Sequence, residues 1–258
     1  MSLFAHLVEH LADLLQPLFH ASAAAAAIVL FTALVRLLVH PLSRASARGQ
    51  RARAALQPRI AELKKEHGKD RERFQKALME LHAEEKVSPL SGCLPSLLQM
   101  PAFFLLYHLF SSSTIGGEAN TLLGHKLFAA PLGDRWADAL GDGGLFGPAG
   151  LVYLGLFAVV TAVAGFNYVR TKRMTAAGAP AGDAQAEGRS ETEQATATAL
   201  ASVGKIMPFM SFFTLFTVAV VPLAAALYVV TSATWSAVER AVLYRDMPGA
   251  APAAAALA

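Results

Sequence analysis

Five long apolar stretches, separated by polar and charged segments, dominate the pattern of this chain. Each is long enough, or nearly so, for the roughly 20 residues that a helix needs to cross the hydrocarbon core of a bilayer. The pattern therefore predicts an all-α fold, a polytopic membrane protein with five transmembrane helices. The predicted spans cover residues 21–43, 90–110, 148–169, 205–221 and 222–243.

The fourth predicted span is unusually short. Its apolar stretch between Pro208 and Pro222 contains only 13 residues. Two interpretations follow: a short span in a locally thinned bilayer, or one half of a tight hairpin whose turn lies at Val221-Pro222.

Residues 1–20 predict an amphipathic helix that lies at the membrane interface. Leucines recur at helical spacing on one side, while His6, Glu9, His10 and Asp13 occupy the other. The segment has no Lys or Arg, so we expect it to be retained rather than cleaved as a signal peptide. The histidines and Asp13 could be metal ligands, but a solvated polar face is the favoured interpretation. No metal or other cofactor is predicted.

Residues 44–89 predict a basic helical hairpin. Two short apolar stripes, Leu56/Ile60/Leu63 and Phe74/Leu78/Leu81, lie on either side of Gly68. The outer surfaces are either merely solvated or a working surface for anionic lipid, ribosomal RNA or a nascent chain. Sequence-specific nucleic-acid binding is not expected, because Phe74 is the only aromatic residue within residues 44–89, and base recognition usually needs several aromatic side chains for stacking. The basic residues expected to recruit substrate are Arg59, Lys64, Lys65, Arg71 and Arg73.

The distribution of basic residues predicts the orientation. Residues 44–86 hold 12 of the 22 Lys and Arg residues, whereas residues 111–147 hold only Lys126 and Arg135. Because cytoplasmic loops are rich in Lys and Arg, we expect the N-terminus outside and the C-terminus in the cytosol. Residues 111–147 then form an extracytoplasmic loop. The linker 170–204 and the disordered tail 244–258 are expected to be cytosolic.

Arg36 places a permanent charge inside the first apolar run. A centrally placed Arg costs on the order of 3 kcal/mol on insertion scales, so such residues usually face a bundle interior or a hydrated cavity. The alternative is an anchor. Only about five residues, or roughly 8 Å, separate Arg36 from Pro41, so the side chain could reach the headgroups.

Further polar side chains lie within the predicted spans. A single Ser or Thr there is most often a helix-packing contact. Trp235 could be an interfacial anchor or the wall of a groove. Together with Arg36, these residues could line a hydrated cavity: Ser96, Gln99, Ser211, Thr214, Thr231 and Trp235.

Missing motifs disfavour several classes of function. No Asp or Glu lies in the interior of a predicted span, which disfavours a proton-coupled carrier. G-x-S-x-G, H-E-x-x-H and Gly-rich phosphate loops are also absent, so an enzyme is not expected. A small channel or carrier that uses Arg36 as an anion site remains an alternative, and a passive membrane scaffold is a third.

Several segments resemble one family. Residues 91–107 read SGCLPSLLQMPAFFLLY, which is similar to the G-C-L-P-x-x-L-Q-x-P-x-F-x-x-L-Y signature of the YidC/Oxa/Alb membrane protein insertases. Residues 32–42, TALVRLLVHPL, match the family's apolar helix with Arg five residues before Pro-Leu. The basic hairpin, residues 205–210 and residues 222–235 are similar as well. The chain is thus identified as a member, of the five-span type found in bacteria with a single membrane.

The resemblance implies a fold and a function. Five helices would enclose a hydrophilic groove that is open to the cytosol and to lipid and closed on the outer side. Arg36 would supply its positive charge, Gln99 would line it, and the hairpin would receive the substrate. The expected function is insertion and folding of newly made membrane proteins in the bacterial plasma membrane, alone or with the Sec translocon. Nascent clients and anionic lipids are expected partners, and the ribosome is a further candidate.

Overall fold

The computed structural model describes residues 2–67, 70–85, 104, 106–115, 117–178 and 207–244. These residues are mostly helical and divide into two compact units. The first unit comprises Met1–Val39, Gln99–Tyr168 and Phe209–Glu239. The second comprises His40–Leu98, Val169–Pro208 and Arg240–Ala258.

The helices follow the apolar runs of the sequence. A helical segment over residues 106–111 is the described end of the second predicted span. Short 3-10 helices cover His20–Ser22, Thr121–Gly124 and Met207–Phe212. The α-helices are α1 (Ser2–Phe19), α2 (Ala23–Ala55), α3 (Gln57–His67), α4 (Arg71–Glu84), α5 (Trp136–Gly141), α6 (Pro148–Gly178), α7 (Phe213–Val220) and α8 (Leu223–Leu243).

Two described regions are long and apolar enough to cross a membrane. The most apolar windows of His6–Ala52 and Pro148–Arg173 have mean hydropathies of 2.2 and 2.1. Phe209–Val220 is a shorter apolar helix. Outward-facing side chains along these helices are large and apolar, including Leu38 at 79% exposure. Such surfaces are typical of helices in contact with lipid. The count of five spans stays a prediction, since most of residues 90–110 lie outside the described part.

The core of the first unit joins α1, α2, residues 106–111, α6 and α8. Small residues at the start of α2 and α8 let these helices approach closely, because alanine side chains occupy little space. Aromatic side chains fill the remaining space: Tyr153 and Tyr228 are almost completely buried, and Phe110 lies 6.0 Å from Tyr228 between ring centroids.

Helix α1 uses only part of its apolar surface for packing. Val8 and Ala12 are buried in the core. Leu7, Leu14 and Leu18 remain 51–74% exposed. The exposed leucines recur at i, i+7 and i+11 and therefore share one face.

Residues 111–147 contain short elements that the sequence pattern does not predict. Strands β1 (Thr114–Ile115) and β2 (Glu118–Ala119) form one antiparallel pair. Strands β3 (Lys126–Leu127) and β4 (Ala130–Pro131) form a second. Leu122, Ala130 and Leu132 are buried, so the segment is anchored to the core by its own apolar side chains.

Val221 and Pro222 separate α7 from α8. Val221 is extended, with φ −84° and ψ 157°, as expected for a residue before proline. Pro222 has no N–H group, so it breaks the helix cleanly. The break lies where the sequence suggests a turn, although the membrane position of these helices stays a prediction.

The second unit contains α3 and α4, which lie where the sequence predicts a hairpin. Asp70 caps α4 by accepting a hydrogen bond from the Arg73 backbone N–H over 3.1 Å. Leu56 and Leu81 are buried. Helix α2 reaches Ala55, beyond the end of the predicted span at residue 43, and has Pro41 in its interior.

Candidate functional site

Arg36 lies in a small cleft of the first unit. Its guanidinium Nη2 donates a hydrogen bond to the backbone carbonyl oxygen of Ser232 over 3.2 Å. The space between the side chains of the cleft is too narrow to hold a water molecule, and the empty volume of about 160 Å³ includes open solvent at the mouth. The cleft is thus narrow and places a cation at the junction of α2 and α8. It is lined by Thr32, Val35, Arg36, Leu106, Tyr228 and Ser232.

The helical repeat brings these side chains together. Thr32 lies one turn before Arg36 on α2, and its hydroxyl donates to the Ile28 carbonyl over 2.7 Å. Tyr228 and Ser232 are one turn apart on α8, so both face the same side. Leu106 closes the cleft with an apolar side chain. One guanidinium, two hydroxyls on α2 and α8 and a phenol therefore converge within an otherwise apolar bundle.

The other predicted groove residues are not all brought to this cleft. Ser96 and Gln99 lie outside the described residues. Ser211 belongs to the 3-10 turn before α7, Thr214 to α7 and Thr231 to α8, and all three are half-buried. Among the described residues, neither these three nor Trp235 lines the Arg36 cleft. Their role in a groove stays a prediction.

The buried polar atoms without a hydrogen-bond partner within the described part of the chain include the Nε1 of Trp235 and the Oδ1 of Asn167. A buried donor or acceptor without a partner costs about 1–3 kcal/mol. Trp235 lies one turn beyond Ser232 on α8, whereas Asn167 belongs to α6. The bundle thus has polar groups that could be satisfied by water or by an incoming polar segment.

The segment 111–147 caps the N-terminus of α8. The backbone N–H groups of Leu223 and Ala224 donate to the carbonyls of Asp134 and Leu132, over 2.8 and 2.9 Å. The first N–H groups of a helix have no partner within the helix, so these contacts satisfy them. Tyr153 of α6 also donates its hydroxyl to the Asp134 carbonyl, over 2.7 Å.

Two side chains of the segment 111–147, those of Asn120 and Asp134, contribute to the structure and the charge of this region. Asn120 donates through Nδ2 to the carbonyls of Leu109 and Ser112, each over 2.9 Å, and so covers the end of the helical segment 106–111. Burial raises the pKa of the Asp134 carboxyl above its ordinary value, and the carboxylates of Asp138 and Asp142 raise it further. The cap is therefore closed by backbone contacts but is sensitive to charge.

The predicted recruiting residues of the hairpin lie mainly on its surface. Arg59, Lys64, Lys65 and Arg73 are exposed, and Arg71 is the first residue of α4. Arg59 forms an ion pair with Glu85, which joins the beginning of α3 to the end of α4. Arg73 pairs with Asp70 over 3.1 Å. Lys64 and Lys65 lie in the last turn of α3, where cations are favoured by the helix dipole.

Two further arginines of the second unit contact the C-terminal end of α8. Arg51 of α2 donates to the carbonyl of Leu243. Arg170 of α6 donates to the carbonyl of Arg240 over 3.0 Å, and its guanidinium lies 5.1 Å from the ring centre of Tyr244. The sequence analysis counted Arg51 among the basic residues that predict the orientation, and it predicted neither of these contacts.

Of the six residues that line the cleft, the sequence analysis selected Arg36 but not Thr32, Val35, Leu106, Tyr228 or Ser232. A signal was present for Tyr228, because Tyr228, Ser232 and Trp235 recur at i, i+4 and i+7 and form one polar stripe on α8. Thr32 precedes Arg36 by one turn in the same way. Leu106 had no signal, since leucine is common throughout the spans.

These features define an α-helical membrane protein with a cationic cleft between its helices. The model of the 60Kd inner membrane protein family matches residues 15–250. The chain belongs to this family, which is the YidC/Oxa/Alb family that the motifs resemble. The prediction of the family is confirmed.

Curated relatives share a shorter stretch with the chain. A protein of Magnetococcus marinus is 51% identical over 81 residues, which are 31% of this chain and 15% of the relative. A protein of Stenotrophomonas maltophilia is 48% identical over 81 residues, which are 31% of this chain and 14% of the relative. One from Laribacter hongkongensis is 51% identical over 81 residues, covering 31% and 15%. Each is named membrane protein insertase YidC.

Proposed function

We propose that this protein is a membrane protein insertase and chaperone. It inserts newly made membrane proteins and helps them fold through a hydrophilic groove that is open to the cytosol and to lipid. The observation that carries the proposal is the Arg36 cleft, in which a guanidinium lies among apolar helices and contacts the carbonyl of Ser232. The names of the curated relatives support the same function.

The groove lowers the cost of moving a short polar segment through the bilayer. An unsatisfied polar group in hydrocarbon costs several kcal/mol, and water or protein hydrogen bonds at that depth remove much of the cost. The unpartnered Nε1 of Trp235 supports a lining role for this residue. Ser96, Gln99, Ser211, Thr214 and Thr231 complete the proposed lining. No covalent chemistry is required.

Arg36 attracts acidic residues of the translocating segment. Two opposite charges 4 Å apart gain up to about 4 kcal/mol at an effective dielectric constant near 20, and water in the groove reduces this gain. Because the cleft is narrow, a client must displace the contact between Arg36 and Ser232. A carboxylate is a stronger hydrogen-bond acceptor for a guanidinium than the neutral carbonyl that it replaces.

The partners follow from this role. The hairpin residues Arg59, Lys64, Lys65, Arg71 and Arg73 recruit nascent clients from the cytosol and contact anionic lipids. The protein acts alone on small clients and beside the Sec translocon on larger ones, and the ribosome is a further candidate partner. It resides in the bacterial plasma membrane, with five spans, the N-terminus outside and the C-terminus in the cytosol.

Substitution of Arg36 tests the proposal. Proteoliposomes with wild type, Arg36→Ala or Arg36→Lys are supplied with one client in two forms, with an acidic translocated tail and with that tail neutralised. Arg36→Ala should strongly reduce insertion of the acidic client, whereas Arg36→Lys should retain much of it. With the neutralised client, the difference in insertion between wild type and Arg36→Ala should be smaller. Arg44→Ala is a matched control, because Arg44 is an exposed residue of the same helix.

The outcomes separate the classes of function. If Arg36→Ala inserts the acidic client as well as wild type does, Arg36 is an anchor and the groove mechanism is wrong. If the wild-type protein inserts no client but conducts anions in the same vesicles, it is a channel or carrier that uses Arg36 as an anion site. A scaffold would do neither.

A further inference from the structure

Phe128 has an unusual backbone conformation at the tip of a hairpin. It lies in the two-residue turn between β3 and β4, with φ +52°. A left-handed conformation is costly for a bulky side chain, and such turns normally use Gly or Asn at this position. The Phe128 side chain is nevertheless 76% exposed, so packing of this side chain within the described protein does not explain the left-handed backbone conformation. Backbone outliers of this kind often mark a functional position.

The base of the hairpin holds the tip in place. Ala130 and Leu132 are fully buried, and Leu127 packs against the core of the first unit. The backbone N–H of Phe128 donates to the Ser22 hydroxyl over 3.1 Å. The turn is therefore a fixed projection, and its aromatic side chain points away from the buried base.

The neighbouring surface is apolar and leads directly into a membrane helix. Ser22 is the last residue before α2 and lies within the first candidate span, His6–Ala52. Just before it in the chain, Leu18 and Phe19 are 74% and 49% exposed, and Leu14 is 74% exposed on the same helix. The first residues of α2, up to Ile28, are mostly buried, and large apolar side chains are exposed again from Val29 onwards. Hydrocarbon is thus the environment adjoining the patch.

We propose that Phe128 inserts into the lipid leaflet at the N-terminal end of α2, together with Leu14, Leu18 and Phe19. The β3–β4 turn is a membrane-inserted wedge. Lipid is the assigned occupant because Leu14, Leu18 and Phe19 belong to a segment that is long and apolar enough to cross a membrane, and Ser22 of the same segment holds the Phe128 turn. An aromatic ring is suited to this interface, where an amphipathic helix also buries its apolar face. The wedge goes beyond the proposed insertase function, and it requires neither that function nor a particular orientation.

Depth-sensitive labelling tests the wedge. In a Cys93→Ser background, Phe128→Cys carries an environment-sensitive fluorophore, and the protein is reconstituted in phosphatidylethanolamine/phosphatidylglycerol vesicles. Emission should be blue-shifted, quenched by spin labels on lipid acyl chains and protected from aqueous iodide. Asp142→Cys is the matched control, because Asp142 is an exposed polar residue of the same segment, and its label should be quenched by iodide. Iodide quenching at position 128 equal to that at position 142 would overturn the proposal.

A second measurement identifies the occupant without altering Cys93. A photoreactive benzoylphenylalanine at position 128 is irradiated in cells, and the adducts are analysed by mass. Phospholipid adducts support the wedge. Adducts with a second copy of this chain or with another protein, in the absence of lipid adducts, assign the surface to protein contact and contradict it. Client insertion measured in parallel keeps failure of the wedge distinct from failure of the insertase function.

Discussion

The guanidinium of Arg36 hydrogen-bonds to the backbone carbonyl of Ser232, not to its side chain. The contact joins α2 to α8 across 196 positions of sequence. Because the acceptor belongs to the main chain, the contact does not depend on which side chain occupies position 232. The size of that side chain, however, sets the free space in the cleft.

Enlarging residue 232 should therefore impair function more than removing its hydroxyl. Ser232 is 8% exposed and lines the cleft. Ser232→Leu adds volume where little is available, and overpacking typically costs about 1–3 kcal/mol. We expect Ser232→Leu to lose most client insertion, while Ser232→Ala stays close to wild type. Reconstituted insertion measures the effect, and a Ser232→Leu variant with normal activity would contradict a role for the cleft.

Leu81 should stabilise the hairpin, whereas its neighbour Met79 should not. Leu81 is 8% exposed and Met79 is 70% exposed on the same helix. Leu81→Ala removes buried apolar atoms and should destabilise the hairpin by about 2–4 kcal/mol. Met79→Ala is the matched control and should have little effect. Limited proteolysis of residues 57–85 reports the loss of order, and equal sensitivity of the two variants would show that the hairpin packing is not as described.

The same two variants also separate order from function. If Leu81→Ala opens the hairpin and client insertion falls, the folded hairpin contributes to recruitment. If insertion is unchanged while proteolysis increases, the hairpin is only a topology signal. Exposed cations such as Lys64 and Lys65 should then also be replaceable without loss.

Arg170 should stabilise the end of α8 through its planar guanidinium. It donates to the Arg240 carbonyl and lies over the Tyr244 ring. Arg170→Gln should lower the free energy of unfolding by about 1–2 kcal/mol. Arg170→Lys should retain only part of that stability, because lysine lacks the planar guanidinium. Lys172→Gln is the control, since Lys172 is exposed on the same helix. Thermal unfolding in detergent measures the difference, and similar midpoints for the Gln variants at 170 and 172 would refute it.

Deprotonation of Asp134 should destabilise the cap as pH rises. Its folded-state pKa is raised above the ordinary value near 3.8, so the folded state binds the proton more tightly than the unfolded state. This contribution is fully present below pH 3.8 and is lost as pH rises through the raised pKa. Asp134→Asn keeps the backbone carbonyl that accepts from Leu223. We expect this variant to flatten the pH dependence of thermal unfolding above pH 3.8 and to be at least as stable as wild type at neutral pH.

Asp142→Asn provides the comparison for that experiment. Asp142 acts on Asp134 only through its charge, so its removal should produce a smaller change of the same sign. A pH profile of Asp134→Asn that superimposes on wild type would exclude Asp134 as the titrating group.

Thiol labelling should establish the orientation. In a Cys93→Ser background, Gln57→Cys lies in α3 and Asp142→Cys lies in the segment 111–147, and both positions are exposed. An impermeant reagent should label position 142 in intact cells and position 57 only in inverted vesicles. Labelling of position 57 from outside would reverse the orientation and remove the cytosolic groove.

Hydrophobic periodicity predicts where helices lie but not how they face one another. The apolar runs correspond to α2, α6 and α8, because burial in lipid or in the core requires such runs. The predicted first span ends at residue 43, whereas α2 continues to Ala55. The end of an apolar run indicates where a helix leaves an apolar environment for water, not where the helix itself ends. The Ala- and Arg-rich residues that follow still favour a helix.

The candidate site was only partly predictable for the same reason. Arg36 could be selected because a charge within an apolar run is costly. Its partners Ser232 and Tyr228 depend on the rotation of α8 about its axis, which one sequence does not specify. Likewise, the leucine stripe of α1 is evident, yet Val8 and Ala12 make the buried contacts. The two-residue strands of the segment 111–147 are too short for any period, and distant contacts such as that of Asn120 with Leu109 hold this segment.

The capped start of α8 has a consequence for how this protein is itself made. The amides of Leu223 and Ala224 depend on carbonyls at positions 134 and 132, which leave the ribosome about 90 residues earlier. At a synthesis rate of about 5–20 residues per second, several seconds pass between the synthesis of those carbonyl groups and the synthesis of the amides that bind them. Helix α8 therefore docks late in synthesis onto a part of the protein that was made earlier.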